Sequence, residues 1–135
     1  MGPDAKAALN DISPLMYDKN KRVMAEAALA NYKISEDPEK SLAVLNDLLR
    51  SRTYRVKAVE CLGAMGQGAD SAVPGLIAML SEDDEVIVET AVLALKGVGP
   101  GAAKAVAPLR ALQGHKDFLI AKAADEALEA INSKE

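Results

Sequence analysis

Alanine and leucine return in register four times along this chain, at a constant 33-residue interval, and that spacing constrains the fold more than any other feature. Ala25, Ala58, Ala91 and Ala124 hold one phase without exception; Leu29, Leu62, Leu95 and Leu128 hold the phase one helical turn later. Between them stand Ala28, Cys61, Ala94 and Ala127, and the next turn adds Tyr32, Met65, Val98 and Ile131. Offsets of three, four and seven positions place all of these on one face of a helix. Small groups let neighbouring helices approach while leucine fills the volume between layers. One unit alone leaves its apolar edge in water and a stacked neighbour covers it, so the period predicts an array of helical layers.

A second, less regular helix follows each complete first helix. Leu42, Leu45, Leu48 and Leu49 form one apolar series, Leu76, Ile77, Met79 and Leu80 the next, and Val106, Leu109 and Leu112 a third. The pattern predicts an all-α chain with helices over 4–16, 20–33, 38–50, 53–65, 70–81, 85–97, 101–113 and 117–132, about eight in all. The first span reads as the second helix of an incomplete unit and the last as a first helix without a partner, leaving three pairs between two half-units. Alanine is the commonest residue, against one Phe, three Tyr and no Trp, which suits closely packed helices better than a core of large rings.

The breaks keep the same interval. Gly66-Gln67-Gly68 and Gly99-Pro100-Gly101 lie one repeat apart, where glycine and proline suit short connections. Pro74 and Pro108 fall near the starts of second helices, where a missing N–H costs little. Pro108 conflicts with a helix begun at 101, which it would kink or divide, and not with one begun near 107; Pro14 poses the same question in the first half-unit. Asp117 stands where it can cap the final helix, and Glu82, Asp83, Asp84 and Glu85 place negative charge at another helix start, where free amides and the helix dipole favour it. The calcium-loop pattern is absent from this acidic run.

With these residues in view, the chain resembles the HEAT-type α-helical repeat family, above all through AVECLGAMGQGADSAVPGLIAML at 58–80, with its Leu62-Gly63 pair and Ala72-Val73-Pro74. The next copy departs from it: Leu95-Lys96 replaces the Leu-Gly pair, and Ala105-Val106-Ala107-Pro108 carries one extra residue before proline. The resemblance implies a right-handed α-α superhelix or solenoid of helix pairs. It frames residues 1–135 as a single repeat domain with an N-terminal half-repeat or cap at 1–19, an array at 20–132 and a tail at 133–135. It further implies a non-catalytic protein-binding or scaffolding role, in the manner of an accessory domain of a larger bacterial protein. Related arrays also include tetrapyrrole-attachment enzymes, which supply the alternative reading. No catalytic residue carries over to this chain from the motif.

Apolar residues at 50% and charged residues at 27% exclude a collagen, a mucin-like stalk or a wholly disordered chain. No uninterrupted apolar run approaches the roughly 20 residues that span hydrocarbon, so no integral membrane segment is expected; a cytoplasmic setting is expected if the chain is complete. The net charge of −4 is unevenly placed: residues 1–68 hold 10 basic and 9 acidic side chains, residues 69–135 hold 6 and 11. Arg50, Arg52, Arg55 and Lys57, with Tyr54 among them, form the clearest basic segment and are the candidate protein-contact residues. Its cations do not recur at the repeat interval as a phosphate-binding surface would require, so nucleic acid is not the expected partner; another protein or another domain of the parent chain is.

The groups that could carry chemistry are sparse. Cys61 shares its phase with Ala28, Ala94 and Ala127, which points to packing rather than nucleophilic work, and as the lone cysteine it forms no intramolecular disulfide. His115 sits in a connection and reads as structural or solvent-facing. Glu60 and Glu126 share a phase with Ala27 and Leu93, so they form no continuous carboxylate rail and read as exposed helix residues. Tyr32 reads as packing, Tyr54 as a packed ring with its hydroxyl near water, and Tyr17 and Phe118 as covers for open ends or turns. No phosphate cradle, metal-protease helix or His/Cys cluster occurs, so no catalytic, cofactor-binding or metal-binding residue is assigned.

Overall fold

A computed structural model describes residues 2–132, and every regular element among them is helical. The expected tail at 133–135 lies outside the described residues. Helix α1 (Pro3–Ile12) runs into a 3-10 turn at Ser13–Tyr17, and α2 (Lys21–Ser35) and α3 (Glu39–Leu48) follow. After α4 (Arg55–Ala64), a 3-10 segment at Gly66–Ala72 leads into α5 (Val73–Met79). After α6 (Glu85–Val98), a matching segment at Gly99–Ala105 leads into α7 (Val106–Leu112), and α8 (Phe118–Asn132) ends the described chain. Helices α2, α4, α6 and α8 lie against one another in that order, with α3 on α2 and α4, α5 on α6, and α7 on α8.

The repeated alanine and leucine register is the core of this stack. Ala25, Ala58, Ala91 and Ala124 are fully buried, as are Leu62 and Leu95, with Leu128 7% exposed. Cys61, Ala94, Ala127, Met65, Val98 and Ile131 are buried with them. Removing a leucine of this kind from water contributes roughly 1.5–3 kcal/mol. The exceptions are Leu29 and Tyr32 on α2, both half-buried. Their layer is the first complete one, and what precedes it is thin: α1 buries none of its own residues, and Met16 in the turn after it is the anchor there.

The second helices are shorter than the apolar pattern predicts. The spans expected at 70–81 and 101–113 each resolve into a 3-10 approach and a helix of seven residues. Two glycines one repeat apart turn the chain there with positive φ, Gly66 at 59° and Gly99 at 73°. Ala69 and Ala102, again one repeat apart, interrupt the helical backbone before proline is reached. Pro74 is therefore the second residue of α5 and Pro108 the third of α7, within the first turn, where backbone N–H groups lack helical partners anyway. The same logic divides the span expected at 4–16, because Pro14 sits in the 3-10 turn that ends α1.

Close approach explains two further glycines. A Cβ added to Gly63 would lie 2.9 Å from the Ala94 Cα, and one added to Gly97 would run into the Gly63 carbonyl, whose carbon is 3.1 Å away. Helices α4 and α6 thus meet backbone to backbone. The stretch Glu85–Leu112 is long and apolar enough to pass for a membrane span by composition, but half of its most apolar window is buried in this packing and Gly99 turns within it.

Candidate functional site

The starts of α2, α4, α6 and α8 lie along one edge of the stack, and one repeat phase organises all four. Asp18, Ser51, Asp84 and Asp117 occupy that phase, and each accepts a hydrogen bond from a backbone amide just after it. The Asn20 amide donates to Asp18 at 2.7 Å and the Tyr54 amide to the Ser51 hydroxyl at 3.3 Å. Val86 donates to Asp84 and Leu119 to Asp117, both at 2.9 Å. Asn20 then begins α2 by accepting from the amides of Arg22 and Val23. Short oxygen-bearing side chains do this because they reach the amides a helix start leaves free. Asp117 and the acidic run before α6 are legible as helix starts from sequence; Asp18 and Ser51 are recognisable only once the acceptor phase is followed back through all four copies.

Around this fixed acceptor, the neighbouring positions face solvent and change identity from layer to layer. Before it come Tyr17, Arg50, Asp83 and Lys116; after it come Lys19, Arg52, Glu85 and Phe118, then Asn20, Thr53, Val86 and Leu119. All twelve are exposed. Tyr17 and Phe118, expected to cover open ends or turns, leave most of their rings in water, 71% and 74% exposed. Leu119 at 61% and Val86 at 60% extend the apolar part of the edge.

The basic segment divides between two tasks. Arg55 forks onto Glu82, Nη2 to Oε1 at 2.7 Å and Nη1 to Oε2 at 3.1 Å, tying α4 to the loop before α6. Lys57 bonds Glu26 of α2 at 3.0 Å, and its ammonium is held above the ordinary lysine value by that hydrogen bond. A third tie joins Lys96 on α6 to Glu126 on α8 at 3.3 Å. Partly exposed pairs of this kind contribute about 0–1 kcal/mol each, so they fix register more than stability. Tyr54 is half-buried, whereas Arg50 and Arg52 are exposed and take part in none of the ion pairs among the described residues. Arg52 instead lines an open polar cleft with Arg55, Ser81, Glu82, Asp83 and Asp84.

Cys61 is 2% exposed, and burial pushes its thiol up from the usual value. His115 accepts the Asp117 amide on Nδ1 at 2.9 Å, which commits it to the start of α8. The Asp117 carboxyl is lowered first by a hydrogen bond with Glu85 and then by the Leu119 amide, so the starts of α6 and α8 are side by side. Glu60 is exposed, while Glu126 is half-buried against Lys96. No group of three or more His, Cys, Asp or Glu side chains placed to hold a metal occurs among the described residues. The chain matches no protein-family model, no curated protein and no solved structure.

Proposed function

We propose that this chain is a HEAT-type α-solenoid, its helix pairs stacked with a right-handed superhelical sense, that serves as a non-catalytic protein-interaction or scaffolding module. The partner is another protein or another domain of the parent chain. The buried alanine and leucine register and the ordered contacts of α2, α4, α6 and α8 support the architecture. One observation carries the function: four loops share one amide-accepting position and expose different side chains around it. The shared acceptor fixes the backbone of each loop, with Asn20 adding the cap of α2, and the remaining flanking positions are free to be chosen for contact.

Binding on such a surface concentrates in a few anchors while a charged rim sets encounter and register. Arg50 and Arg52 fit the rim, because their heads remain in water. The test begins with affinity purification from native cells under gentle conditions, mass-spectrometric identification of partners, and direct titration of each with the purified chain. A partner that binds the purified chain supports the module; failure of every recovered protein to bind it rejects the reading. With a partner in hand, Arg50→Ala/Arg52→Ala lowers affinity and flattens its salt dependence, and unchanged values of both remove the rim role.

A further inference from the structure

We infer that the edge formed by the four helix-start loops recognises an extended segment of another protein, whose side chains run acidic, basic, apolar at every third position, in either chain direction. This rests on the reading of the chain as an interaction module and adds the binding face and the chemistry of its partner. Across layers two to four the exposed side chains change in bands. The second loop offers Arg50 and Arg52, the third Asp83 and Glu85, and the fourth Phe118 and Leu119, with Val86 of the third beside them. Lys116 and Lys122 flank the apolar end, and Tyr17 and Lys19 of the first loop extend the basic end.

Two observations mark these bands as available for contact. Arg50, Arg52, Asp83 and Glu85 enter none of the ion pairs that tie the layers together among the described residues, although Arg52 and Asp83 line one open cleft and Glu85 lies beside Asp117. And the chain's single Phe stands 74% exposed next to Leu119 at 61%, on a protein that buries most of its large apolar side chains. The spacing follows from the stack. Packed helices lie about 8–10 Å apart, so successive loops are offset by about that distance. An extended chain advances roughly 3.3 Å per residue, so a step of three positions spans one layer. A carboxylate opposite Arg50 and Arg52 therefore leaves the third position onward opposite Asp83 and Glu85, where a cation fits, and the sixth opposite Phe118 and Leu119, where an apolar side chain fits.

The experiment measures fluorescence anisotropy of synthetic peptides on a Gly-Ser background carrying Glu, Lys and Leu at every third position. One isomer has the order Glu, Lys, Leu and the other exchanges Glu with Lys; both are titrated at low salt. The proposal expects the first to bind about tenfold more tightly than the second, with the preference reversed in Arg50→Glu/Arg52→Glu/Asp83→Lys/Glu85→Lys. Phe118→Ser/Leu119→Ser weakens both isomers alike. Because all substituted positions are exposed and none is a cap, circular dichroism of each variant should match the parent; Arg52→Glu alone, predicted to shrink the preference, serves as the milder variant. Equal affinity for both isomers in every protein overturns the proposal. If a native partner binds the charge-exchanged chain as tightly as the parent, the module reading stands and this edge is not its binding face.

Discussion

Substituting Gly97 with Ala sets two well-calibrated effects against each other. In an ordinary helix interior the change stabilises by about 1 kcal/mol, because glycine loses more backbone freedom on folding. At Gly97 the new methyl meets the Gly63 carbonyl of α4, with the carbonyl carbon 3.1 Å and the Gly63 Cα 3.3 Å from it. These are backbone atoms and cannot rotate aside, so α6 must move. Opening the seam by about 1 Å forfeits a quarter to a half of the dispersion attraction across it, and overpacking of this kind costs roughly 1–3 kcal/mol. The clash wins, and Gly97→Ala is expected to destabilise by about 1–2 kcal/mol, or roughly 4 °C in Tm per kcal/mol for a chain of this size. Gly75 on α5 is the internal control: a Cβ there finds only Leu49 Cδ1 at 4.0 Å, so Gly75→Ala keeps its gain. Urea unfolding followed by far-UV circular dichroism, with unchanged m, reads both. Equal stabilisation by the two substitutions would refute the close approach of α4 and α6.

Leu62→Ala and Leu95→Ala each remove a fully buried side chain and should cost about 2–5 kcal/mol, whereas half-buried Leu29→Ala should cost clearly less in the same denaturant titration. Asp84→Ala loses the hydrogen bond that the Val86 amide donates at the start of α6, with an expected loss of roughly 0.5–2 kcal/mol that Asp84→Asn largely restores; equal losses from both would reject the capping role. Cys61 should resist thiol reagents in the native protein and react at once in denaturant. Its thiol is raised by burial, so the unfolded chain ionises first as pH climbs; stability then falls above the ordinary value of 9.0, and Cys61→Ala should remove that part of the slope.

The inward phase of the helices is readable from sequence because it rests on periodicity. Ala25, Ala58, Ala91 and Ala124 must face the same way whatever the loops do, and all four are fully buried. The break glycines are readable for a similar reason, since Gly66 and Gly99 hold backbone angles that other residues enter only with strain. Glu36 shows the limit of that logic: it ends α2 at φ 59° without being glycine, and nothing in its identity announces it. Helices α5 and α7 fall short of their expected spans because apolar spacing continues through the 3-10 segments, where Ala69, Ala72, Ala102 and Ala105 are buried without being α-helical.

The basic segment shows why a site resists sequence reading. Arg50, Arg52, Arg55 and Lys57 look alike as letters, yet Arg55 finds Glu82 far ahead in the chain and Lys57 finds Glu26 far behind, at separations set by how layers stack. Helix phase and the direction of burial are local properties of the chain, because 3.6 residues per turn, roughly, converts spacing into facing. Which cations are neutralised, why Gly63 must lack a side chain, and that the helix starts align into one banded edge all depend on groups brought together from different layers. Only packing decides those, since distance through space is not a function of distance along the chain.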